Sequence, residues 1–315
     1  MAKTTAGLVV MLTAATLAVG QTSEIPLFSE ALAKERGPTE APFIVTYRSG
    51  GKVLAFVGAD HVFTSENSTI DSVRRAYADS NPSMIIIEGI PTAMGQNFEP
   101  IVEAARRRDQ PDADAFAKSE AVFAASLALA RNVPFIGGEP TMAEEIDGLV
   151  AKGYKRDDVL FAIRLRSLGQ ARRSGEIPAG NAAAFSARYE RESRAVAHMT
   201  GTEAPTDSRF IADYRRIVGA DPISDVEMPS RCDPGTETLL QKMAADNMRF
   251  RDEHLLATIL QELARNKSVL VVYGGSHWTT LSRALEDRLG KPVIDYVARE
   301  HASILLPSGS STNAP

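Results

Sequence analysis

Three segments of this chain, residues 53–57, 84–87 and 269–273, are apolar at almost every position. Runs this short and this uniformly apolar read as strands buried on both faces, which occur in sheets covered by helices on either side. The fold class that follows is α/β, with a mixed central β-sheet flanked by helices. Residues 43–47 and 52–58 read as a hairpin about Ser49-Gly50-Gly51. Further strands are expected at 133–138, 292–297 and 302–306. Helices are expected at 68–78, with Ser68 as N-cap, and at 98–107, 112–131, 236–266 and 279–289. One domain spans 42–306, interrupted by a helical insertion at about 143–235. The insertion is rich in arginine (Arg164, Arg166, Arg188, Arg194 and Arg216 among others). These side chains read either as a solvated helix surface with internal ion pairs or as a cap facing an anionic substrate.

The first 20 residues have the pattern of an export signal: Lys3, a short apolar core, and small residues up to Gly20 at the expected cleavage point. The apolar stretch is short beside the roughly 20 residues of a membrane span. The expected location is periplasmic or secreted, with no integral span after signal removal. Residues 21–41 read as a flexible lead and 307–315 as a disordered, Ser-rich tail. A formal net charge of −5 gives no basic surface of the kind that binds nucleic acid. The single cysteine, Cys232, excludes an intramolecular disulfide and has no neighbouring base to activate it.

The ends of the strands carry the chemistry. Gly58-Ala59-Asp60-His61, Glu88 and Glu139 each close an apolar strand, and Gly274-Gly275-Ser276-His277 closes another. Ligands of open α/β sheets bind beyond the carboxyl ends of the strands. Glycine at a strand exit lets the backbone turn sharply, through dihedrals closed to other residues, and so projects the following His over the sheet. Imidazole binds divalent metals and acts as a base near neutral pH. Two imidazoles joined by carboxylates form a mixed nitrogen and oxygen set suited to zinc, manganese, cobalt or iron. Taken singly, each residue keeps a second reading. His61 or His277 alone reads as a hydrogen-bonded structural histidine. Glu88 serves as ligand, base or arginine partner, and Glu139 as base or as cap of a helix beginning at Thr141. Asp60 reads as a carboxylate that orients an imidazole. His254 reads as a solvent-side helix residue.

The order of these motifs, with Arg251-Asp252 in a helix before the second Gly-x-x-His, resembles the TraB/PrgY/GumN family. That family is similar in turn to the Tiki metalloproteases, the erythromycin esterases and the ChaN haem-binding lipoproteins. The resemblance covers about residues 45–297. It implies a ChaN/erythromycin-esterase-like fold and a metal-dependent hydrolase of peptide, amide or ester bonds. His61, Glu88 and His277 would bind a divalent ion, Mn, Co or Zn. Glu139 or Asp60 would accept a proton, and Arg251 would stabilise developing negative charge. The alternative is a non-enzymatic protein of the ChaN/PrgY type that binds haem, a metal or a peptide, with Tyr47, Tyr273 or a His as axial haem ligand. Ala59, where the family usually has a small hydroxyl residue, departs from the pattern, as does Trp278-Thr279-Thr280 after the second His.

Overall fold

The computed structural model describes residues 25–296 except 38–39, 62–63, 65–66, 115, 174–176, 179–180 and 219–237. The expected export signal, Cys232, the strand at 302–306 and the tail lie outside the described residues. Among those described, no helix is long and apolar enough to cross a membrane.

Helix α1 (Glu30–Arg36) occupies part of the segment read above as a flexible lead. Ser29 caps it, and Ala33 is buried, so apolar contact fixes the lead on the domain. Strands β1 (Phe43–Ser49) and β2 (Lys52–Ala59) form the expected hairpin. Gly50 and Gly51 both have positive φ, 56° and 77°, the two-residue turn whose twist matches that of the strands. Helix α2 (Ser68–Ser80) is capped by Asn67, whose side chain accepts from the Ile70 N–H, and not by Ser68. Strand β3 (Met84–Pro91), helix α3 (Glu99–Arg107), helix α4 (Glu120–Arg131) and strand β4 (Phe135–Glu139) follow. The last large units are helix α9 (Leu239–Arg265), strand β5 (Ser268–Gly274), helix α10 (Gly275–Leu289) and strand β6 (Val293–Tyr296). Between β4 and α9 come α5 (Met142–Ala151), α6 (Arg156–Arg173), α7 (Ala182–Thr200) and α8 (Asp207–Val218).

The six strands form one mixed sheet in the order β4-β3-β5-β2-β1-β6. Strands β4, β3, β5 and β2 are parallel, and β1 is antiparallel to β2 and β6. The uniform apolarity of the strands is explained by the pleat. Ala55, Val57, Ile85, Ile87, Leu270 and Val272 point to the face covered by α2, α3 and α4. Leu54, Phe56, Ile86, Val269, Val271 and Tyr273 point to the face covered by α9 and α10.

The insertion has a core of its own, with Phe161, Phe185, Tyr189, Phe210 and Tyr214 at its centre. Among the described residues it rests on the first turns of α9 through Leu240 and Met243. Several of its arginines pair with carboxylates within the insertion: Arg166 with Glu145 at 2.9 Å, Arg209 with Asp213 at 2.7 Å, and Arg216 with Asp158 at 2.6 Å. These contacts favour the internal ion-pair reading of the arginine-rich face.

Candidate active site at the strand ends

The parallel strands all present their carboxyl ends on one side. Four neighbouring strands there carry Glu139 (β4), Glu88 (β3), His277 (just after β5) and His61 (just after β2). Residues from opposite thirds of the chain thus become neighbours. Glu88 is central. Its Oε2 lies 3.6 Å from His61 Nε2 and its Oε1 lies 3.7 Å from His277 Nε2. A register shift in the β3–β4 pairing falls between Ile87 and Pro91, and Gly89 has φ +83°. A bulge of this kind re-aims a side chain at a sheet end. Glu88 Oε2 also accepts the Gly274 N–H at 2.6 Å, so the carboxylate sits at the positive end of α10.

Helix α10 begins at Gly275, four residues before the expected start, so His277 belongs to its first turn. The ring is buried. Its Nδ1 meets Asp252 Oδ1 at 2.5 Å, and Thr280 Oγ1 donates to Asp252 Oδ2 at 2.8 Å. His61 is half exposed, 52 % by side chain, and its Nδ1 meets Glu120 Oε1 at 2.6 Å. The hydrogen bond to Glu120 raises its pKa, burial opposes this, and the charges of Glu88, Glu120 and Asp60 add to the rise, to about 9. Glu120 is buried at the start of α4, just after its cap Ser119. Neither Glu120 nor a role for Asp252 was apparent from the sequence.

Glu139 and Arg251 form a buried bidentate pair, with Nε to Oε2 at 2.7 Å. Burial pushes the Glu139 carboxyl up, but the charge and hydrogen bonds of Arg251 outweigh it and hold the group at about 2. A carboxylate held so firmly as an anion is a weak proton acceptor. Arg251 also reaches Glu88 at 3.7 Å. The Tyr273 hydroxyl is buried near Glu139 and Glu88, which with burial raise its pKa well above the usual value. It feels the Glu139 charge without making a well-formed hydrogen bond to it. Asp60 is exposed beside His61, and its backbone exchanges hydrogen bonds with the Thr69 hydroxyl. His254 does not face solvent alone, since its Nε2 meets the Thr92 hydroxyl at 2.8 Å. Tyr47 lies in the core at the opposite end of the sheet, its hydroxyl accepting from Trp278 Nε1.

The glycines act by making room and not by unusual dihedrals. Neither Gly58 nor Gly274 has positive φ. A Cβ at Gly58 would stand 2.2 Å from the Phe43 ring, and one at Gly274 would stand 3.0 Å from His61 Nε2 and 3.4 Å from Glu88 Oε2. The two substitutions should therefore separate. Gly58→Ala is expected to cost about 2 kcal/mol by overpacking a rigid core ring, measured by urea unfolding. Gly274→Ala is expected to cost less than about 1 kcal/mol, because the half-exposed His61 ring can move aside. It should instead shift the His61 ring resonances in NMR spectra. Equal destabilisation by both would sink this account.

Two imidazole nitrogens and a carboxylate are a fitting donor set for a divalent ion. Donors around a tetrahedral zinc, at bonds of roughly 2.0–2.1 Å, stand about 3.3 Å apart. The 3.6 and 3.7 Å separations are slightly wider than that. Consistently, no group of three such side chains is close enough to hold an ion among the described residues. The chemistry of the donors fits, and holding an ion needs the two rings, which face different oxygens of Glu88, to draw together. Comparison of the chain with models of known protein families, with curated proteins and with solved structures finds no match.

Proposed function

We propose that this chain is an exported hydrolase of peptide, amide or ester bonds, akin to the TraB/PrgY/GumN family, with a divalent ion held by His61, Glu88 and His277. The observation that carries the reading is the placing of two imidazole Nε2 atoms on opposite oxygens of one carboxylate, at 3.6 and 3.7 Å. When bound, the ion would polarise a carbonyl and lower the pKa of a water toward roughly 7. The chain's own groups do the rest. Glu88 is kept in one orientation by the Gly274 N–H. Asp60, exposed beside His61, would accept a proton there. Arg251, already oriented by Glu139, faces the negative charge that develops on the substrate oxygen.

Elemental analysis of the mature protein, purified without chelator, tests this. About one ion of Mn, Co or Zn per chain is expected, and its loss in His277→Ala. Hydrolysis of a panel of peptide and ester substrates should fall by about a thousandfold or more in the same variant. Unchanged metal content and turnover in both His61→Ala and His277→Ala would overturn the reading.

A further inference from the structure

Two buried carboxylates stand behind the imidazoles, where substrate does not reach. Glu120 is 5 % exposed and Asp252 1 %. Each meets the Nδ1 of one ring, at 2.6 and 2.5 Å. A carboxylate can only accept, so the proton of each contact belongs to Nδ1. The Nε2 of each ring then turns to Glu88, one from either side. The two dyads differ in their backing. The second oxygen of Asp252 and the His277 carbonyl both lie 2.8 Å from the Thr280 hydroxyl and share its one proton, which ties carboxylate and helix together. Glu120 Oε2 is buried without a hydrogen-bond partner among the described residues. Its charge is instead eased by its place in the first turn of α4, at the positive end of the helix.

We infer that Glu120 and Asp252 are the positioning residues of this site: each holds the Nδ1–H of one imidazole and sets the plane of its ring, so that both Nε2 atoms face Glu88. This deepens the proposed function, since it rests on reading His61 and His277 as donors to one ion. A carboxylate behind a ligating imidazole holds ring orientation and raises the basicity of the donor nitrogen.

The test uses the full chain with 15N-labelled histidine. Wild type is expected to show two strongly downfield ring protons bonded to Nδ1, assigned to His61 and His277. Glu120→Gln should remove only the first and Asp252→Asn only the second. Zn2+ affinity by titration calorimetry should drop about 10- to 100-fold in each variant. Because Asp252→Asn alters a fully buried group and can unfold the chain, Thr280→Val serves beside it. That change leaves Asp252 charged and should weaken Zn2+ binding and shift the His277 proton alone. Nδ1 atoms that carry no proton in wild type, or unaltered Zn2+ affinity in a folded Glu120→Gln protein, would overturn the inference. Locked Nδ1 protons in a wild-type protein that binds no Zn2+ would uphold the positioning and refute the metal-dependent function.

Discussion

Arg251→Met is expected to lower folding stability by about 3–5 kcal/mol, because it leaves the buried Glu139 carboxylate with no counter-charge. The pH dependence should change sign with it. In the native protein Glu139 is held at about 2, below its ordinary 4.5. A depressed carboxyl contributes stability above the unfolded value of 4.5, roughly 3 kcal/mol for this shift, and loses it as pH falls through about 2. Without Arg251 burial, the largest influence, raises the group, with His277 and Tyr273 opposing it. The variant should then gain stability on acidification, as the buried carboxyl takes up a proton. Urea unfolding across a pH series reads both slopes. Adding Glu139→Gln to Arg251→Met should recover much of the loss, since no charge then stays buried. An acid slope identical to that of the native protein would mean that the pair is not what holds Glu139.

Trp278→Ala is expected to cost about 3–5 kcal/mol. The indole is fully buried beneath the first turn of α10, and its ring packs edge-on against Phe43 with centroids 5.5 Å apart. Its Nε1 donates to the Tyr47 hydroxyl at 3.1 Å, a buried contact whose loss adds about 1 kcal/mol. Trp278→Phe should preserve most of the packing and lose mainly that hydrogen bond. Because Trp278 is the residue after His277, the alanine variant should also broaden the His277 ring resonances, whereas a core truncation of similar cost in the insertion, such as Leu168→Ala in α6, should not. Midpoints of urea unfolding, set beside the NMR line widths, check both statements.

The strands were legible because burial on two faces leaves a simple mark, an unbroken apolar run, and the turn at Gly50-Gly51 left its own. Helix starts were harder, and one of them hid a site residue. Taking the helix as beginning at 112 puts Glu120 in mid-helix, an ordinary surface glutamate. The cap is Ser119, which places Glu120 in the first turn against His61. A search for Ser followed directly by an acidic residue, ahead of an alanine-rich run, would have found that start. Asp252 leaves no local trace of its role, since its partner His277 is 25 residues away and the two meet only through the packing of α9 against α10. The glycines were read at the right places for a different reason. Dihedral freedom can be guessed from one residue, whereas the close approach of Phe43 to Gly58 depends on a neighbouring strand.

The position of β5 has a consequence for how the molecule comes into being. This strand is made late, yet it lies between β2 and β3, which are made early. Until residues 268–274 emerge, a nascent chain holds a hairpin and a β3–β4 pair with no strand to join them, each with a bare apolar edge open to aggregation. Insertion of β5 joins the halves and, in the same step, brings His277 beside His61. The site therefore cannot assemble ahead of the sheet.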